Sequence, residues 1–142
     1  MVTLHQKKNI EKVEKVQRRA TKFILKTDEN YETRLKKLNL ISLKNRRFLA
    51  DVTFLYKALN GISNINIDSY VDFYSDVDHY SFRKYDDLSL KKKYARTNPL
   101  KYSFFHKIVI SWNLLPYDTR KAVSVNIFKR GVKKFLLDST LN

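Results

Sequence analysis

The sequence predicts an all-α protein: a small helical bundle of about four to five helices with a long irregular middle segment. Three observations carry this. Apolar residues recur at three- and four-residue spacings over four long stretches. Two glycines and two prolines are too few to punctuate a turn-dense β-architecture. The 43% hydrophobic content is enough for a core, yet no apolar run approaches the ~20 residues of a bilayer span. A single helical domain over 1–142 is expected, with N-terminal helices in 6–60, an irregular connector in 61–97 that is acidic and then basic, and a C-terminal helical pair in 98–138.

The first helix is expected over 6–26. Ile10, Val13, Val16, Ala20, Phe23 and Ile24 fill one face about 140° wide at ~100° per residue. Such a stripe is expected to be buried against the other helices. Glu11 with Lys15, and Glu14 with Arg18, are spaced for i,i+4 support. Thr27 to Asn30 breaks the pattern, and a short helix follows from Tyr31 to Leu38 with Leu35 and Leu38 inward. The third helix has Ser42 as N-cap and Asn60-Gly61 as C-terminal stop. Phe48, Leu49, Val52, Leu55, Tyr56 and Leu59 form its stripe. Residues 83–97 are polar and Lys-rich, with Leu88-Ser89-Leu90 as a candidate short strand. Asn98-Pro99 has the form of a helix start, followed by a bulky face from Tyr102 to Leu115 that Pro116 ends. Ser124 opens the last helix, with Val125, Phe128, Val132, Phe135 and Leu136 on one side and Lys129, Arg130, Lys133 and Lys134 on another.

Net charge is +15 and blocked along the chain. Residues 1–60 hold 15 basic and 6 acidic side chains; residues 61–82 hold four aspartates and no Lys or Arg; residues 83–142 hold 14 basic and 4 acidic. The first expectation is a polyanionic partner, RNA or DNA, ahead of an anionic membrane. The absence of cysteine excludes disulfides, thiolate zinc sites and cysteine nucleophiles. Gly-rich phosphate loops cannot be built from two glycines.

Lys8, Lys12, Lys15, Arg19, Lys22 and Lys26 step by 4, 3, 4, 3 and 4. On a helix they fall within an arc of about 80° beside the apolar face. Two readings stand: a phosphate-binding row or a solvated helix face. Lys91, Lys92, Lys93, Tyr94 and Arg96 form a second cluster. As a flexible loop it would follow a phosphate backbone, with Tyr94 stacking on an unpaired base; a solubilising loop or a nuclear-import signal are the other readings. His5, His79 and His106 lack metal-ligand spacing. Asp76-Val77-Asp78 and Asp86-Asp87 fit solvated loops better than a divalent-ion site. No catalytic residue, metal, cofactor or small-molecule substrate is expected.

The block from Ile10 to Lys22 resembles the helix just after the polymerase in jockey-type non-LTR retrotransposon reverse transcriptases. Six further blocks resemble the same family in the same order: Tyr31–Leu40, Ser42–Arg47, Val52–Gly61, then Arg96-Thr97-Asn98 with Phe104-Phe105, Trp112–Pro116, and Ser124–Lys129. Asn39 stands where that family usually has glycine, and 61–82 matches no pattern. The resemblance covers about residues 10–137 and implies a region downstream of the polymerase thumb. It implies a nuclear protein that helps hold template RNA or target DNA for target-primed reverse transcription without doing the chemistry. Tyr85-Asp86-Asp87 lacks the intervening residue of the family's Tyr-x-Asp-Asp metal site. The alternative expectation is an interaction domain that docks on upstream reverse transcriptase domains or self-associates through Val13, Val16 and Phe23.

Overall fold

The computed structural model describes residues 4–74, 86–94, 96–97, 99 and 103–138. The fold is predominantly helical, with one small two-stranded sheet among the described residues. The residues expected to share one helical domain fall into two compact units, Met1–Phe48 and Leu49–Asn142.

The first unit holds α1 (Leu4–Leu25), α2 (Tyr31–Lys37) and the opening of α3 (Leu43–Leu59). Its caps follow the sequence. The Asn30 side chain accepts from the Thr33 N–H at 2.8 Å, and Ser42 Oγ accepts from the Asn45 N–H at 3.2 Å. After α2 the Leu40 N–H bonds the Leu35 carbonyl at 2.9 Å and the Asn39 N–H bonds the Lys36 carbonyl at 3.0 Å. This paired closure needs a left-handed residue, and Asn39 sits at φ 51. Asparagine is among the few side-chain-bearing residues that visit this region readily, so it serves where glycine is the commoner choice.

The face that α1 buries differs from the expected one. Glu14, Gln17 and Thr21 are buried. Val16 is 66% exposed, Phe23 82% and Ile24 61%, with Val13 and Ala20 also exposed. The reason lies in what packs against the helix. Glu14 Oε1 accepts from the Tyr31 hydroxyl at 2.5 Å and from the Leu43 N–H at 3.4 Å. Gln17 Nε2 donates to the Ile41 carbonyl at 3.1 Å. Arg34 is buried and donates to Thr21 Oγ1 at 3.3 Å, to the Arg18 carbonyl at 3.4 Å, and to the Glu29 carbonyl. The segments flanking a seven-residue helix carry many unpaired backbone groups. They find partners on the polar stripe of α1, and the apolar stripe is turned away.

The second unit contains the rest of α3, β1 (Val71–Phe73), β2 (Leu90–Lys92), α4 (Phe104–Asn113), α5 (Tyr117–Arg120) and α6 (Val125–Asp138). Here the apolar stripes are buried as the periodicity predicts. Val52, Leu55 and Tyr56 of α3, Ile108, Val109 and Trp112 of α4, and Phe128 and Val132 of α6 form the core. Tyr56 stacks on Phe128 with ring centroids 4.3 Å apart, and its hydroxyl donates to the Ala122 carbonyl at 2.6 Å. Gly61, at φ +64, lies just beyond α3 as expected, and Ser124 Oγ accepts from the Ile127 N–H at the start of α6.

Three expectations are corrected. The connector is not wholly irregular: β1 and β2 pair antiparallel, Asp72 opposite Lys91. The strand expected at Leu88–Leu90 is displaced to Leu90–Lys92, because Asn113 and Trp112 hold its approach from the other edge. Asn113 Oδ1 accepts from the Leu90 N–H at 3.0 Å, and its Nδ2 donates to the Leu90 carbonyl at 2.8 Å. Pro116 lies three residues past the end of α4 and also caps α5, a short helix the sequence did not suggest. α4 begins after Ser103; residues 98 and 100–102, including the expected Tyr102, lie outside the described residues.

Candidate nucleic-acid interface

The first-helix cations are placed by α1 alone. Lys8, Lys12, Lys15, Arg19 and Lys22 lie on the helix and are exposed, spanning ~21 Å at ~1.5 Å per residue. Lys22 Nζ pairs with Asp28, and that hydrogen-bonded ammonium holds the Asp28 carboxyl below its usual range. Lys26 leaves the row. It follows the end of α1 at φ 46, so its side chain no longer obeys helical spacing. Five of the six expected cations therefore share the helix, and one of those five is paired to a carboxylate.

The second cluster is a strand and its exit, not the expected flexible loop. Leu90–Lys92 is β2. Lys91 is half-buried, Lys92 exposed. Lys93 Nζ pairs with the Asp72 carboxylate at 3.1 Å and donates to the Asp68 carbonyl. An aspartate pair of the acidic connector thus engages one of the proposed phosphate-binding lysines within its own unit. Tyr94 is 88% exposed, and Arg96 is exposed. The structure brings Lys91 to Arg96 together as one segment of the second unit and the α1 cations together as one row of the first.

What positions the second segment is a polar frame that sequence reasoning missed. Arg120, on α5, has a side chain only 4% exposed. Its Nη1 donates to Asp86 Oδ1 at 2.9 Å and to Ser89 Oγ at 3.2 Å, while Nη2 pairs with Asp86 Oδ2. The Trp112 indole donates to the Leu88 carbonyl at 2.8 Å. His106 Nε2 lies 3.0 Å from the Lys93 carbonyl and Nδ1 3.3 Å from Ser103 Oγ. The Trp112-Asn113 pair, His106 and Arg120 therefore anchor residues 86–93 from α4 and α5. Asp86 therefore belongs to this frame and not to the solvated loop expected of it. The other aspartate pair considered, Asp76 and Asp78, lies outside the described residues, as does His79.

The exposed cations of α6, Lys129, Arg130, Lys133 and Lys134, make a further basic face of the second unit. Among the described residues no three His, Cys, Asp or Glu side chains gather as metal ligands would, and no helix is long and apolar enough to cross a membrane. No family model, curated protein or solved structure matches the chain.

Proposed function

We propose that the chain is a non-catalytic nucleic-acid-binding module. In this reading it corresponds to the C-terminal segment of a non-LTR retrotransposon reverse transcriptase and acts in the nucleus. It holds template RNA or target DNA close to the polymerase during target-primed reverse transcription, and the upstream domains perform the chemistry. The observation that supports this best is the exposed row from Lys8 to Lys22 on a chain of net charge +15. Each phosphate neutralised by that row releases counterions, so affinity falls steeply with salt. Lys92, Tyr94 and Arg96 supply a second contact, with Tyr94 offering an exposed ring to an unpaired base. Lys93 contributes less than the sequence suggests, because Asp72 already neutralises it.

The test is the salt dependence of binding to a short RNA or DNA, by fluorescence anisotropy. Reversing Lys15, Arg19 and Lys22 together to Glu removes two to three phosphate contacts, Lys22 being already paired with Asp28, and flattens the log–log slope by roughly two to three units. Absence of binding at low salt, or a slope indifferent to the triple change, overturns the proposal.

A further inference from the structure

The apolar stripe that α1 turns away from its own unit is one wall of a groove. Val13, Val16, Ala20 and Ile24 line it on the α1 side, Leu40 and Leu43 on the other, around an open cavity of about 560 Å³. From Val13 to Ile24 the groove follows α1 for ~17 Å, three helical turns, the length over which a docked helix presents anchors at i, i+3 or i+4, and i+7. Its charge is one-sided. Lys12 of α1 and Arg46 of α3 belong to its lining, and no Asp or Glu does. Of the two carboxylates next in sequence to lining residues, Glu14 is committed to Tyr31 and the Leu43 N–H, and Glu11, which is exposed, is spaced i,i+4 from Lys15. Lys15 and Arg19 continue the positive border along the same side of α1 as Lys12.

We propose that this groove docks an amphipathic helix of another protein, one whose apolar stripe is bordered by Asp and Glu. The apolar wall demands an apolar stripe, which a nucleic-acid strand lacks. The cationic borders demand acidic flanks. A second copy of this chain is the poorer occupant, since it brings the same Lys12, Lys15 and Arg46 against themselves and adds another +15 of like charge.

The experiment uses the full chain and two synthetic peptides of about four helical turns. Both carry leucine at i, i+3, i+4 and i+7; one has Glu on either side of that stripe and the other Lys. Fluorescence anisotropy at moderate salt should show the Glu-flanked peptide binding about tenfold more tightly than the Lys-flanked one, the fold-change of two or three exposed ion pairs. Ala20→Glu, on the groove wall and outside the cation row, should abolish that binding; Ile24→Lys at the far end does the same where Ala20→Glu disturbs the helix. Equal binding of both peptides, binding of neither, or binding that survives both substitutions overturns the proposal. So does a chain that sediments as a dimer alone and becomes a monomer on Ala20→Glu, because the occupant is then a second copy.

Discussion

Removing the charge of Asp86 should loosen the whole second unit, and the structure gives the size of the effect. Arg120 is almost entirely enclosed, while the Asp86 side chain keeps 32% of its surface in water. Both carboxylate oxygens face the guanidinium, and Oδ1 also accepts from the Leu88 N–H at 3.1 Å and from Ser89 Oγ at 2.9 Å. Asp86→Asn therefore leaves a buried cation facing an amide. Arg120→Met leaves a carboxylate that retains two local donors and some hydration. Breaking a buried pair costs ~3–5 kcal/mol, which the partial exposure of Asp86 reduces to about 2–4 kcal/mol for Asp86→Asn and about 1–2 kcal/mol for Arg120→Met. The assay is urea unfolding followed through Trp112. It is the chain's only tryptophan, lies in this unit, and donates to the Leu88 carbonyl two residues from Asp86. With a slope of roughly 1–2 kcal/mol per molar urea, the Asp86→Asn midpoint falls by about 2 M. A cost under about 1 kcal/mol for Asp86→Asn, or a larger cost for Arg120→Met, refutes the reasoning that the enclosed guanidinium is the vulnerable partner.

Three other outcomes follow from local geometry. Asn39→Gly, at φ 51, should stabilise the first unit by about 0.5–1 kcal/mol and Asn39→Val destabilise it by more, measured by thermal unfolding. A Cβ at Gly131 would lie 2.9 Å from Thr119 Cγ2, so Gly131→Ala should cost roughly 1–3 kcal/mol; adding Thr119→Ala should recover most of it in a double-mutant cycle. Desolvation, reinforced by the hydrogen bond to Glu14, pushes the Tyr31 phenol above its ordinary 10.0. The folded state then holds that proton more tightly than the unfolded chain, so this contribution to stability is fully present below pH 10 and declines as pH rises beyond it. Tyr31→Phe should remove that decline from a stability profile between pH 9 and 11, and an alkaline limb that persists unchanged would refute the assignment.

The second unit was largely legible in the sequence. Val52, Leu55 and Tyr56, Ile108 and Trp112, and Phe128 and Val132 announce buried stripes by spacing, and the structure buries them. Ser42, Asn60-Gly61 and Ser124 announce helix ends because capping is a matter of the few residues beside the cap. The polar frame was not legible. Asp86 and Arg120 stand 34 residues apart, and Asn113 stands 23 from Leu90; nothing local marks one as the partner of the other. The proposed cation row was legible up to Lys22, then lost Lys26 to the left-handed turn that ends α1.

By itself, the sequence determined where helices run, how they end and how charge is distributed along them, since these depend on periodicity and near neighbours. Tertiary structure alone decided which face of α1 is covered and that Leu90–Lys92 is a strand. Both choices turn on distant backbone groups that need hydrogen-bond partners. On α1 that need drew Ile41 to Gln17 and Leu43 to Glu14, leaving the apolar stripe to face outward.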